Sequence, residues 1–252
     1  MDSKKPITTE ELEHALEGLK DYVVSDQEIL DNAKKLKEIF SQATSSLDEG
    51  EKRAVVDEFN QEISRLRNVM HRDVLTGLYN RRGISEEFGA LFAEALFEKQ
   101  HSGKRQGIII KDFSIMCIDI DNLKEINDSY SWEAGDRVLK NIAELLKENV
   151  RKIDAVGRLA GGEFVVALVG ADEEVTHQKA EEIRQLLLKK IKIRSDNDFK
   201  ITASLGVASL HQSRAATLSQ LVERAERAMI AAKEKGKNTV VRYSELRAQA
   251  TA

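Results

Sequence analysis

The chain has 252 residues, 33% charged and 41% apolar, enough for one large domain or two small ones. A net charge of −4 offers no field to gather nucleic acid, and no apolar run approaches the ~20 residues of a membrane helix, so neither partner is expected. One cysteine, Cys117, excludes an internal disulfide and fits a reducing, cytoplasmic setting.

The chain opens on MDSKKPITTEE, which lacks the apolar stretch of a signal peptide. Three helix starts follow with capping-box spacing: Thr8 with Glu11, Ser25 with Glu28, and Ser46 with Glu49. Behind each runs an apolar stripe at spacings of three and four, from Leu12 to Val23, from Ile29 to Ala43 and from Val55 to Met70. Short amphipathic helices cannot bury such stripes alone. Residues 1–70 are therefore expected to form an all-α bundle, or to pair with a second copy, and to serve regulation or partner binding.

Beyond residue 70 strand-like and helix-like runs alternate. The polar, basic stretch 98–107 is expected to be a solvated loop. FSIMCIDI (113–120) is a buried strand, with Cys117 in its core, and a helix covers about 133–149. FVVALVG (164–170) is a strand, 173–191 a helix, 200–210 a strand and 218–236 a helix stopped by Gly236. NTVVRY (238–243) is a final strand. The class is α+β, with helices over a sheet. The boundaries are 1–70, 71–245 and a tail at 246–252.

Several residues suggest chemistry on their own, each with a plainer reading beside it. Asp119 and Asp121 stand two apart at a strand end, where carboxylates can hold Mg²⁺ or simply cap a turn. Asn127 and Asp136 can face a base edge or cap helices. Lys233 and Lys237 share a helix face and suit either phosphates or solvent. The five histidines show no zinc-site spacing.

In their order along the chain these residues resemble the GGDEF domain of diguanylate cyclases, over roughly 71–243. DVLTGLYNRR (73–82), DIDNLKEIND (119–128), AGD (134–136) and AERAMIAAKEKGKN (225–238) carry the likeness. The resemblance implies a central, mostly antiparallel sheet flanked by helices, like a nucleotidyl-cyclase palm. It implies that two GTP-loaded domains meet as a homodimer and make cyclic di-GMP. It also implies that Asp119 is a Mg²⁺ ligand, that Asn127 and Asp136 hold guanine with Leu139 lining the pocket, and that Lys233 and Lys237 touch the outer phosphates. Preceding helices would govern the encounter, a role that fits residues 8–70.

The signature turn departs from the family. The pattern G-G-[DE]-E-F falls on Ala160, Gly161, Gly162, Glu163 and Phe164. The acidic third position is Gly162, so a carboxylate is missing where phosphoryl transfer develops charge, and Glu163 is what remains of the catalytic pair. Sliding Glu163 into that position would reverse every side chain of the next strand. Tyr130-Ser131-Trp132 stands where the family has Y-G-H. Upstream, RKID (151–154) keeps the R-x-x-D pattern of the family's product site. Arg151 would clamp cyclic di-GMP, Asp154 would accept from a guanine, and Arg184 would be a second clamp; Arg151 and Asp154 are expected to be exposed. The expected function is a catalytically degenerate cyclic di-GMP receptor that signals to a protein partner through the N-terminal helices. The alternatives are an active cyclase and a GTP-binding domain without turnover, with Mg²⁺ needed only where the nucleotide site works.

Overall fold

The computed structural model describes residues 70–100, 112–193 and 200–250, with isolated positions between 48 and 57. The three helices expected within residues 1–70 and most of the loop expected at 98–107 lie outside the described residues. The chain divides into two compact units, Met1–Leu66 and Arg67–Ala252.

In chain order the second unit contains α1 (Arg81–Gln100), β1 (Phe113–Ile120), α2 (Leu123–Ser129), α3 (Trp132–Glu148), β2 (Ala155–Ala160), β3 (Glu163–Val169) and α4 (Glu173–Lys190). There follow β4 (Ala203–Ser209), α5 (Leu210–Ser213), α6 (Leu218–Glu234), β5 (Val240–Arg242) and α7 (Tyr243–Ala250). The strands form one sheet in the order β2-β3-β1-β4-β5. All neighbours are antiparallel except β4 and β5. This is the α+β architecture expected.

β1 runs through the centre, and its alternation feeds two cores. Met116, Ile118 and Ile120 pack with Val138, Ile142 and Leu146 of α3 and with Ile183 and Leu187 of α4. Phe113, Ile115 and Cys117 pack with Phe88 and Phe92 of α1 and with Leu221 and Ala225 of α6. A strand covered on both faces reads as a continuous apolar run, which is why FSIMCIDI was legible. Burial pushes the Cys117 thiol well above its ordinary value, with Glu226 and Glu163 adding to the shift.

Two contacts fix how the layers sit. A Cβ added at Gly206 of β4 would stand 2.1 Å from the Met229 amide and 2.2 Å from the Ala225 carbonyl, so α6 rests directly on the strand backbone. Residues 72–80 line the free edge of β2: the Tyr79 N–H donates to the Val156 carbonyl at 3.2 Å, and the Arg158 N–H to the Tyr79 carbonyl at 2.7 Å. That segment covers an edge that would otherwise expose a row of unpaired groups.

Gly236 ends α6 as expected, at φ 105°, with the Lys237 N–H reaching back to the Ala232 carbonyl. The expected last strand shortens to three residues, and helix α7 runs across the boundary drawn at 245. Tyr243 and Leu246 pack against Ala228, Ala232 and Val241, which gives that segment an apolar seat. Among the described residues no helix is long and apolar enough to cross a membrane.

Candidate functional site

The C-terminal end of β1 gathers most of the residues singled out. Asp119 is nearly buried and accepts from the Lys233 ammonium, which α6 carries across from its last turn. Two residues on, both oxygens of Asp121 are hydrogen-bonded. Its Oδ1 accepts from the Ser204 hydroxyl at 2.8 Å, and its Oδ2 from the Thr202 hydroxyl at 2.8 Å and the Asn238 N–H at 3.0 Å. Asp121 is thus a brace between β1, the start of β4 and the loop before β5. Asn122 follows in a left-handed conformation, φ 59°, and its Oδ1 accepts from Lys237 Nζ at 2.6 Å. Both lysines are turned onto the β1–α2 corner.

The glycine turn lies beside this corner. Gly161 takes φ 51° in open space, a conformation glycine adopts without strain. The Gly162 carbonyl accepts from the Ile120 N–H at 3.1 Å, and a Cβ placed on Gly162 would meet Ile120 Cβ and Leu123 Cδ2 at 3.2 Å. Phe164 pairs with Arg158, and Glu163 stands opposite Asp119 across the β1–β3 ladder. A single irregularity between Arg158 and Ala160 is confined to β2, so β3 keeps its register: Phe164 is buried with the α3 face, and Glu163 shares the α6 face with Asp119. Burial raises the carboxyl of Glu226 on α6, and Glu163 raises it further.

Arg158 and Asp73 hold the turn, a pairing sequence reasoning did not assign. Arg158 donates to the Gly161 carbonyl from Nε at 3.1 Å and Nη2 at 2.9 Å, and from Nη1 to Asp73 Oδ1 at 2.9 Å. Asp73 also accepts from the Thr76 amide at 2.9 Å and the Thr76 hydroxyl at 2.6 Å. Burial acts to raise the Asp73 carboxyl, but the bonds from Thr76 and Arg158 outweigh it and hold it below its ordinary value. The available signal was that DVLTG and RLAGG each pair an unexplained charge with a glycine turn.

Helices α2 and α3 meet where a base seat was expected. A Cβ at Gly135 would stand 1.9 Å from Asn127 Oδ1, so only glycine lets the amide lie against the first turn of α3. Asp136 follows at the exposed rim, and Leu139 is buried beneath. Ser131 caps α3, accepting from the Ala134 N–H at 3.3 Å, while a hydrogen bond with Ser131 holds the Glu133 carboxyl below its ordinary value. Trp132, 73% exposed, does not fill the seat.

The R-x-x-D pair differs from expectation. The Asp154 side chain is 1% exposed, against 61% for Arg151. Its oxygens accept from Arg151 Nε at 3.0 Å and Nη2 at 2.9 Å, and from the amides of Arg151 at 2.9 Å and Val169 at 3.0 Å. Arg151 Nη2 also donates to the Val169 carbonyl at 2.7 Å. Asp154 is therefore a buried tie between the β2 approach and the end of β3. Arg184 does not join them. It bonds Glu181 at 2.9 Å and the Asn238 Oδ1 at 2.8 Å, beside Asp121, whereas Val169 lies at the opposite end of the sheet, facing Phe113.

A divalent cation finds a poor fit at the β1–α2 corner. Asp119 already holds an ammonium, both oxygens of the buried Asp121 are hydrogen-bonded, and Gly162 has no side chain. Among the described residues no three or more His, Cys, Asp or Glu side chains are grouped to share an ion.

Known proteins resemble this arrangement. The chain is 33% identical to "Diguanylate cyclase DosC" of Escherichia coli (strain K12) over 184 residues, 73% of this chain and 37% of that protein. It thus spans less than half the length of that relative. The coiled coil and GGDEF domain of DgcB from Caulobacter crescentus, solved in complex with c-di-GMP, superposes with a TM-score of 0.64 at 26% identity, covering 77% of this chain and 96% of that one. Diguanylate cyclase SiaD from Pseudomonas aeruginosa, solved with its activator SiaC, gives 0.58 at 27% identity, covering 92% and 86%. The family model "Diguanylate cyclase, GGDEF domain" matches residues 70–239, and the chain belongs to that family.

Proposed function

We propose that the chain is a non-cyclising GGDEF-family domain that acts as a receptor for cyclic di-GMP. The observation that carries this reading is the state of Asp119: Lys233 occupies its carboxylate, and the adjoining turn position is Gly162. Cyclisation needs a ribose 3′-hydroxyl to attack the α-phosphate of a second GTP while pyrophosphate leaves. Negative charge grows on the phosphoryl oxygens, and stabilising it takes cationic charge aimed at that point. Here the turn position that would carry a second carboxylate for a cation is Gly162, and such a loss costs orders of magnitude in rate. Diguanylate cyclases generally use Mg²⁺ to supply such charge.

Arg151 is the group assigned to the ligand. Its guanidinium is exposed and oriented by Asp154, and charge-assisted bonds from arginine suit a phosphodiester. Asp154 then acts as a positioning residue rather than as a reader of a guanine edge. The c-di-GMP complex of the Caulobacter crescentus domain supports this ligand class. A GTP-binding domain without turnover is the second reading, favoured by the close seat of Asn127 on Gly135 beside Asp136 and by the two lysines facing the same corner. Residues 1–70 are assigned to a protein partner and to homodimer formation, a role supported by the activator complex of SiaD. The cytoplasm, where guanine nucleotides are available, is the compartment this reading requires.

A product assay with GTP and Mg²⁺, paired with calorimetry, tests the proposal. No cyclic di-GMP should form. Cyclic di-GMP should bind, and Arg151→Ala should weaken it about tenfold to a hundredfold, the worth of one or two charge-assisted bonds. Synthesis that Asp119→Asn abolishes would sink the proposal, as would unchanged binding by the Arg151→Ala protein.

A further inference from the structure

We infer that Lys233 is the resident cation of the β1–α2 corner, keeping divalent ions off Asp119 so that a guanine nucleotide enters without metal. The nucleotide half of this inference rests on the second reading above, in which Asn127 and Asp136 seat a guanine.

The position of Lys233 is set by its helix. α6 lies on the β4 backbone at Gly206, with Ala225 and Met229 in direct contact, so the stem of Lys233 rises from an element seated on the sheet. Its ammonium meets Asp119, whose side chain is 14% exposed. A metal ion must displace this ammonium before it gains its first carboxylate. It then gains little more. Mg²⁺ is held by one or two carboxylates plus water and phosphate. Of the neighbours, Asp121 is buried and bonded by Ser204, Thr202 and Asn238, and Gly162 would direct a side chain at Ile120 and Leu123. Glu163 remains across the ladder from Asp119. Like charges directly opposite each other on a sheet repel, and Lys233 relieves that repulsion in place of an ion.

The charge balance points to the ligand. Asp119, Asp121 and Glu163 are the carboxylates of this corner, Asp121 bonded by neutral donors, and Lys233 and Lys237 are its two lysines. Lys233 is engaged by a carboxylate, whereas among the described residues Lys237 bonds the neutral Asn122 amide and keeps its charge for a phosphate. One uncommitted ammonium matches one phosphate group well and a triphosphate poorly. Affinity should therefore depend mainly on the base and first phosphate, rising little from GMP to GTP.

Two measurements on the full chain test this. In the first, Mn²⁺ alone is titrated and the free ion is read by its electron paramagnetic resonance signal. The wild type should show no saturable site below about 1 mM, and Lys233→Met should create one. A wild-type site tighter than about 0.1 mM that Asp119→Asn removes would overturn the inference. In the second, GMP and GTP are titrated calorimetrically in Mg²⁺ and in EDTA. Wild-type affinities should agree within about threefold across all four conditions. A GTP affinity that falls tenfold or more in EDTA would overturn the inference. Absence of any nucleotide binding, with the Mn²⁺ result as expected, would overturn the guanine seat and leave the cation assignment standing.

Discussion

Arg151 and Asp154 stand three residues apart in the connection from α3 to β2, and burial separates their roles. Arg151 faces solvent; Asp154 is enclosed and accepts from two backbone amides and one guanidinium. Truncating Asp154 orphans the Val169 N–H and frees Arg151 to wander. Asp154→Ala should therefore destabilise the domain by about 2–4 kcal/mol in urea unfolding, because buried charged acceptors with several donors carry more than a surface pair does. A change below about 0.5 kcal/mol would show that the tie is not structural. The R-x-x-D spacing was legible in sequence. The burial of its aspartate was not, because that depends on Val169, fifteen residues downstream, arriving at the same point. Asp121 illustrates the same limit: alternation from Asp119 gave no hint that Thr202, Ser204 and Asn238 would converge on it.

The elements held by strong periodicity were legible: β1, α3, β3, α4, β4 and α6 fall within a few residues of expectation. β2 and α1 were not assigned. AVGRLA is short, holds a glycine, and becomes a strand by pairing with β3 on one side and residues 72–80 on the other. The Asp73–Arg158 bond couples that edge segment to the glycine turn, and its contribution should depend on pH. The folded Asp73 carboxyl lies below its ordinary value, so its stabilisation is present above the unfolded value, about 3.9, and is lost as pH falls through the folded one. The stability gap between wild type and Asp73→Asn should thus be widest near neutral pH and shrink below about pH 4. Thermal unfolding of both proteins across that range measures it, and a gap that widens in acid would contradict the assignment.

At the scale of the whole chain, Arg67–Ala252 is a compact unit with a core on each face of its sheet. A fragment covering it should fold alone and bind cyclic di-GMP within a few-fold of the full chain, while its oligomeric state changes in sedimentation. A large loss of affinity would place part of the ligand site within residues 1–66. The sequence by itself determined the α+β class, the family, the spacing of the R-x-x-D pair and the glycine at position 162. Periodicity, motif order and residue identity are local along the chain, so they survive without coordinates. Only the tertiary structure decided that Lys233 closes on Asp119, that Asp154 is buried, that Arg184 lies at the far end of the sheet, and that Asn127 rests on Gly135. Each of these depends on strands and helices distant in sequence meeting at one place, where burial and charge, not spacing, set what a side chain can do.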